Sequence, residues 1–148
     1  MNEGNRPVYL DLDDTTGAAL FARNIRGAVA MLNLLRFREV ADYSAFPELA
    51  PRSPISGRRA YERYIEHTLP FLQASGGEVL YLGAGGDYLI GPPGEGWDMA
   101  LLVRQNSVAA FMAFASDQAY LAGIGHRVAG VRDSRMLPLV DEPAIRST

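Results

Sequence analysis

Five side chains in this sequence have the types and spacing to hold or protonate a small molecule: Asn33, Arg36, Tyr64, Asp98 and Arg127. Each lies in or beside an apolar stretch, and an amide or charge placed there needs partners, supplied by the others or by a ligand. A guanidinium clamps a carboxylate through two hydrogen bonds, so Arg36 and Arg127 are candidate holders of an anionic group. Tyr64 can pass a proton, and His126, next to Arg127, titrates near neutral pH; these two are the candidate catalytic residues. Tyr61 and Trp97 would add aromatic wall to the same ligand pocket. The set also has a purely structural reading, in which Asp98 pairs with Arg127 or Arg36 across adjacent strands and Asn33 bonds a neighbouring backbone. Phe111, Met112 and Phe114 would be pocket wall if the set binds a ligand and plain core otherwise, with core the favoured reading for the phenylalanines.

Composition removes several other chemistries. All fourteen basic residues are arginines, which excludes lysine Schiff bases, and the absence of cysteine excludes thiol nucleophiles and thiolate metal sites. The two histidines, His67 and His126, stand too far apart in sequence to suggest a metal site, and no cofactor is called for. The run Val8–Thr15, with Asp11 and Asp13 one residue apart after an apolar stretch, resembles the opening of haloacid-dehalogenase-type phosphatases, where the first carboxylate attacks phosphorus and the second serves as acid and base. The rest of that apparatus is missing: there is no lysine, no second acidic motif after a strand, and Asp14 replaces the usual small residue. Asp13 and Asp14 are therefore read as helix caps. Gly83-Ala84-Gly85-Gly86-Asp87 follows a strand but opens no periodic helix, so it reads as a hairpin bend or bulge and not as a phosphate cradle.

The elements that must position these residues follow from periodicity and punctuation. A short helix capped at Asp13 or Asp14 runs through Leu20 and Phe21 towards Ile25 and is stopped by Gly27. Residues 29–36 form an apolar strand; Pro47, Pro51 and Pro54 then make 45–56 a loop. From Ser56 a helix presents Tyr61, Tyr64, Ile65, Thr68, Leu69 and Leu72 on one face, with Pro70 expected to kink or end it. Strands follow at 78–83 and 97–104, separated by the turn-rich 91–96. Ser107 caps a further helix, Ser116-Asp117 starts a shorter turn carrying Tyr120, and residues 126–139 read as a long last strand. The order βαββαβ predicts an α+β, ferredoxin-like fold: a four-stranded antiparallel sheet with helices on one face and an extra N-terminal helix. One domain is expected over 1–148, with a lead-in at 1–26, the core at 27–138 and a tail at 139–148.

Met31-Leu32-Asn33-Leu34-Leu35-Arg36-Phe37, Tyr61-x-x-Tyr64, Gly76-Gly77-Glu78-Val79, Trp97-Asp98 and Arg127-x-Ala129-Gly130-x-x-Asp133-Ser134-Arg135 together resemble the domain-of-unknown-function family numbered 1330. The likeness spans residues 27 to 138 and implies a dimeric α/β barrel, in which two ferredoxin-like sheets face each other. It implies no established reaction. The wider superfamily includes cofactor-independent monooxygenases and haem-degrading enzymes, so the resemblance admits a small enzyme as well as a ligand-binding or purely structural dimer module.

Alternation within the strands argues for a dimer independently. In 29–36, Val29, Met31 and Leu35 point one way while Ala30, Leu32 and Leu34 point the other, and 97–104 repeats the pattern. A sheet with helices on one side only would leave the second apolar face wet, so a second copy is expected to cover it. The net charge of −3 gives no basic footprint for nucleic acid or an anionic membrane. Met1–Arg6 lacks the apolar core of a signal peptide, no stretch is long enough to span a bilayer, and a cytoplasmic protein is the simplest expectation.

Overall fold

A computed structural model describes residues 7–142; residues 1–6 of the expected lead-in and 143–148 of the expected tail lie outside the described residues. Helix α1 (Asp14–Ala22) begins with a reciprocal capping box: Asp13 accepts from the Thr16 N–H, and the Thr16 side chain accepts from the Asp13 N–H. It ends three residues short of Ile25 because Asn24 takes a left-handed conformation, φ 51°.

Strand β1 (Val29–Phe37) is central in a sheet whose order is β2-β3-β1-β4, all antiparallel, with β2 spanning Glu78–Gly86, β3 Trp97–Gln105 and β4 Val131–Leu139. With the helices lying between β1 and β2 and between β3 and β4, this is the ferredoxin-like α+β arrangement. Val29, Met31, Leu35, Met99 and Leu101 are buried on the face that carries the helices. On the other face, Leu32 lies between Leu102 of β3 and Leu137 of β4, and Tyr81 of β2 lies beyond Leu102. This row of four runs across all the strands with Tyr81 and Leu137 exposed and the two central leucines half-buried. The bulge of β2 falls between Val79 and Tyr81, earlier than the expected 83–87, and the strand itself continues to Gly86.

Helix α2 (Gly57–Ala74) is capped by Ser56 and packs Tyr61 against Leu35, Phe37, Met99 and Leu101. It continues past Pro70 to Ala74, so the proline does not end it. Pro70 and Glu66 are both exposed, so the Glu66 carbonyl that loses its helical N–H partner is left where water replaces it. After β3 come α3 (Val108–Ala115, capped by Ser107), α4 (Gln118–Leu121, capped by Asp117) and α5 (Ile124–Gly130).

Helix α5 corrects the reading of 126–139 as one strand: His126 to Gly130 are helical, and β4 begins at Val131. The helix has no side-chain N-cap and owes its form to packing on α2, where Ala60 and Ala129 are fully buried. At the crossing the backbones meet. A side chain at Gly57 would run into the Arg38 carbonyl oxygen, and one at Gly130 into the Gly57 carbonyl oxygen. Backbone bonds from Gly57 N–H to Arg38 O (3.0 Å) and from Arg38 N–H to Gly130 O (2.8 Å) stitch the end of β1 to both helices. No helix among the described residues is long and apolar enough to cross a membrane.

Candidate functional site

The helical periodicity of α2 decides where the site lies. Tyr61, Tyr64, Ile65, Thr68, Leu69 and Leu72 share one face of that helix, and between them and the sheet is a cavity of about 770 Å³. Met31 and Asn33 of β1, with Leu101, Val103 and Gln105 of β3, line its floor. Tyr9, Asp11, Leu12 and α1 contribute one wall, and Phe111, Phe114 and Tyr120 another.

Of the residues expected to act together, the fold brings Asn33, Tyr61, Tyr64 and Arg127 to this cavity and places Arg36, Trp97, Asp98 and His126 off its wall. Asn33 is buried, and its side-chain amide donates to the carbonyls of Met31 (3.1 Å) and Leu101 (3.4 Å), as the structural reading anticipated. Its Oδ1 has no partner among the described residues and is not sealed in, so it is free to meet a ligand; the Tyr61 hydroxyl is in the same position. Thr68 Oγ1 is buried in the same wall without a partner. Of these groups only the buried Thr68 Oγ1 carries the cost of an unmatched polar atom, about 1–3 kcal/mol.

Tyr64 and Tyr120 join hydroxyls at 2.7 Å, with the Tyr61 ring tilted against Tyr64 at 5.2 Å and the Phe114 ring tilted against Tyr120 at 4.5 Å. Burial first, and then the neighbouring Tyr64, push Tyr61 and Tyr120 well above the usual tyrosine range, although the charge of Arg127 acts on both in the opposite sense. Both hydroxyls therefore stay protonated as donors. Arg127 itself bonds the Leu10 carbonyl and, at 3.4 Å, Ser134 Oγ, and has no carboxylate partner among the described residues. Arg135, another guanidinium at the wall, is taken by Asp133 at 2.7 Å. What remains is Arg23 and Arg127 against Asp11, a balance that favours an anion.

The displaced residues have structural work. Arg36 is buried, pairs with Asp133 at 3.0 Å, donates to the carbonyls of Glu95 and Gly96, and stacks 4.1 Å over Trp97. Asp98, expected to pair with Arg36 or Arg127, instead accepts from the Phe37 N–H at 2.8 Å, standing in for a ladder carbonyl beyond the last β1–β3 pair, Leu35 with Met99. His126 Nδ1 lies 2.7 Å from the Tyr43 hydroxyl, and burial, with Arg63 and His67 nearby and Glu66 opposing, lowers its pKa. Among the described residues no group of three or more His, Cys, Asp or Glu side chains is placed to hold a metal.

Sequence reading missed Tyr120 and Gln105. Gln105 was legible: the alternation Trp97, Met99, Leu101, Val103 carries one step further to the same face, and Gln105 is buried there at 1% exposure. Tyr120 sits in a four-residue helix whose position only the tertiary fold sets.

No protein-family model matches this chain, and no curated protein matches it. Among solved structures it is similar to the RPA0582 protein of unknown function from Rhodopseudomonas palustris, with 32% identity over 92% of this chain and 98% of that one, TM-score 0.80. The methylated form of that protein aligns with TM-score 0.81 over 91% and 96% of the two chains. A protein of unknown function from Bacteroides fragilis, described as dimeric and ferredoxin-like, aligns at 12% identity over 77% of this chain and 96% of that one, with TM-score 0.47.

Proposed function

The chain belongs to the family of the Rhodopseudomonas palustris protein, and we propose that it binds a small, mostly apolar organic acid between sheet and helices, as a homodimer of the kind that domain-of-unknown-function family 1330 represents. The observation that carries this reading is Arg127, a guanidinium on the wall of an apolar cavity with only neutral oxygens as partners. A ligand carboxylate gives it the charge-assisted bond it lacks. Asn33 Oδ1 and the Tyr61 hydroxyl, both unmatched, fix the orientation of any further polar group on the ligand.

Native mass spectrometry of the protein as purified reads the assembly and any retained small molecule together. Titration with anilinonaphthalenesulfonate, an apolar organic anion, tests the site: Arg127→Gln is expected to weaken binding about tenfold or more, roughly 1.4 kcal/mol. Its urea midpoint should barely move. Equal affinity in variant and wild type removes Arg127 from the binding role.

The Tyr64–Tyr120 hydroxyl pair favours a second reading, a cofactor-independent enzyme in which Tyr64 delivers a proton to the bound acid. With a turned-over substrate in hand, Tyr64→Phe is then expected to lower kcat with little loss of stability, whereas a structural role gives the reverse.

A further inference from the structure

The polarity of the cavity wall changes along its length. At one end are Arg127, Tyr61 and Ser134, the last paired with Leu35 of β1. Tyr64 and Asn33 come next. Beyond Thr68 the wall is mostly apolar, Leu69 and Leu72 from α2, Met31 and Val103 from the sheet, and Phe111 from α3, with the exposed and solvated Arg23 at the end of α1 as its charged group. Gln105, at that far end, spends its Oε1 on a long 3.5 Å contact with Ser75 Oγ.

The axis of this gradient is α2. Tyr61 and Leu72 are separated by about three helical turns, roughly 16 Å. The sheet gives a matching measure: from the level of Leu35, beside Ser134, to that of Met31, beside Val103, is about 13 Å of strand. A compact organic acid seated at Arg127 would leave the Leu69, Leu72, Val103 and Met31 end empty.

Resting on the organic-acid reading above, we infer that the ligand is elongated and single-headed: a carboxylate at Arg127 followed by an unbranched apolar chain that lies along α2 and ends at Leu72. At about 1.2 Å per bond of an extended chain, the available span takes roughly a dozen carbons.

The test is a series of saturated straight-chain carboxylates, from butanoate to hexadecanoate, displacing anilinonaphthalenesulfonate below their micellar concentrations, with the alcohols of equal length in parallel. Each added methylene is expected to tighten binding about fourfold, the fold-change that corresponds to ~0.8 kcal/mol per buried CH₂. The gain should stop near dodecanoate. Leu72→Trp is expected to move that limit several carbons shorter. Val103→Phe blocks the same end from the sheet side and replaces it if the first variant is poorly folded by circular dichroism. In Arg127→Gln the carboxylate should lose its advantage over the alcohol.

Benzoate or naphthoate binding as tightly as dodecanoate overturns the elongated ligand and leaves the organic-acid reading standing. Failure of every acid, short or long, to bind overturns both. Affinity that climbs through hexadecanoate without a break, or a length limit untouched by blocking the far end, places the chain outside this cavity and overturns the inference alone.

Discussion

Asp133 is the most heavily committed side chain in the described structure. At 2% exposure it takes Arg36 at 3.0 Å, Arg135 at 2.7 Å, and the backbone N–H groups of Tyr9 at 3.0 Å and of Ser134 at 2.9 Å. Asp133→Ala leaves the buried Arg36 charge unmatched, and a loss of about 3–5 kcal/mol in urea unfolding is expected. By contrast, Glu66→Gln removes one end of the exposed, solvent-screened Arg59 pair and should leave the urea midpoint almost unchanged. His126 gives a pH dependence of definite sign. Its folded pKa lies below the ordinary value, so the unfolded chain binds the proton more readily. The contribution of the neutral ring to stability is complete above the usual histidine pKa and is lost as pH falls through that value towards the lower folded one. Wild type should therefore lose more stability than His126→Gln between about pH 7.5 and about pH 5.5, a window that brackets the ordinary histidine pKa. Equal losses would remove His126 as the source.

Helix α5 carries the strongest prediction at the level of elements. Gly130→Ala sets a methyl group against the Gly57 carbonyl, where backbone faces backbone and no flexible side chain can give way. We expect a loss of about 3 kcal/mol in thermal or urea unfolding, from forced separation of α5 and α2. Because Arg127 lies in the last turn of α5, weaker binding of anilinonaphthalenesulfonate should accompany it. This helix also marks the limit of what the sequence discloses. Helices α1, α2 and α3 are legible because Asp13, Ser56 and Ser107 cap them and their start signals are local. The strands are legible because alternation in β1 and β3 is local too. Helix α5 has no such signal: its helicity comes from Ala129 and Gly130 docking on Ala60 and Gly57, residues seventy positions earlier. The candidate site divides in the same way. Tyr61, Tyr64 and Asn33 reach the cavity through helix and strand periods visible in the sequence. Arg127 reaches it by way of α5, and the partners of Arg36 and Asp98 depended on where the β1–β3 pairing stops.

For the whole molecule, the row Tyr81, Leu102, Leu32 and Leu137 on the helix-free face is the feature that a second copy would cover. Leu32→Asp, at the middle of the row, is expected to convert a dimer to a monomer in sedimentation equilibrium while leaving the circular dichroism of the fold in place. Wild type sedimenting as a monomer at micromolar concentration would refute dimerisation through this face. Trp97 bears on the protein as a whole in another way. It is the only tryptophan in the chain, it is almost fully buried, and its ring lies 4.1 Å from the Arg36 guanidinium and 5.2 Å from that of Arg135, which in turn lies 4.7 Å from the Tyr9 ring. The indole is off the cavity wall, yet Tyr9 is on it. The chain thus carries its own fluorophore at the anchor of its N-terminal segment: a fatty carboxylate neither absorbs with the indole nor touches it, so a shift in tryptophan emission on filling the cavity registers movement of the wall residues Arg135 and Tyr9 and not the ligand itself.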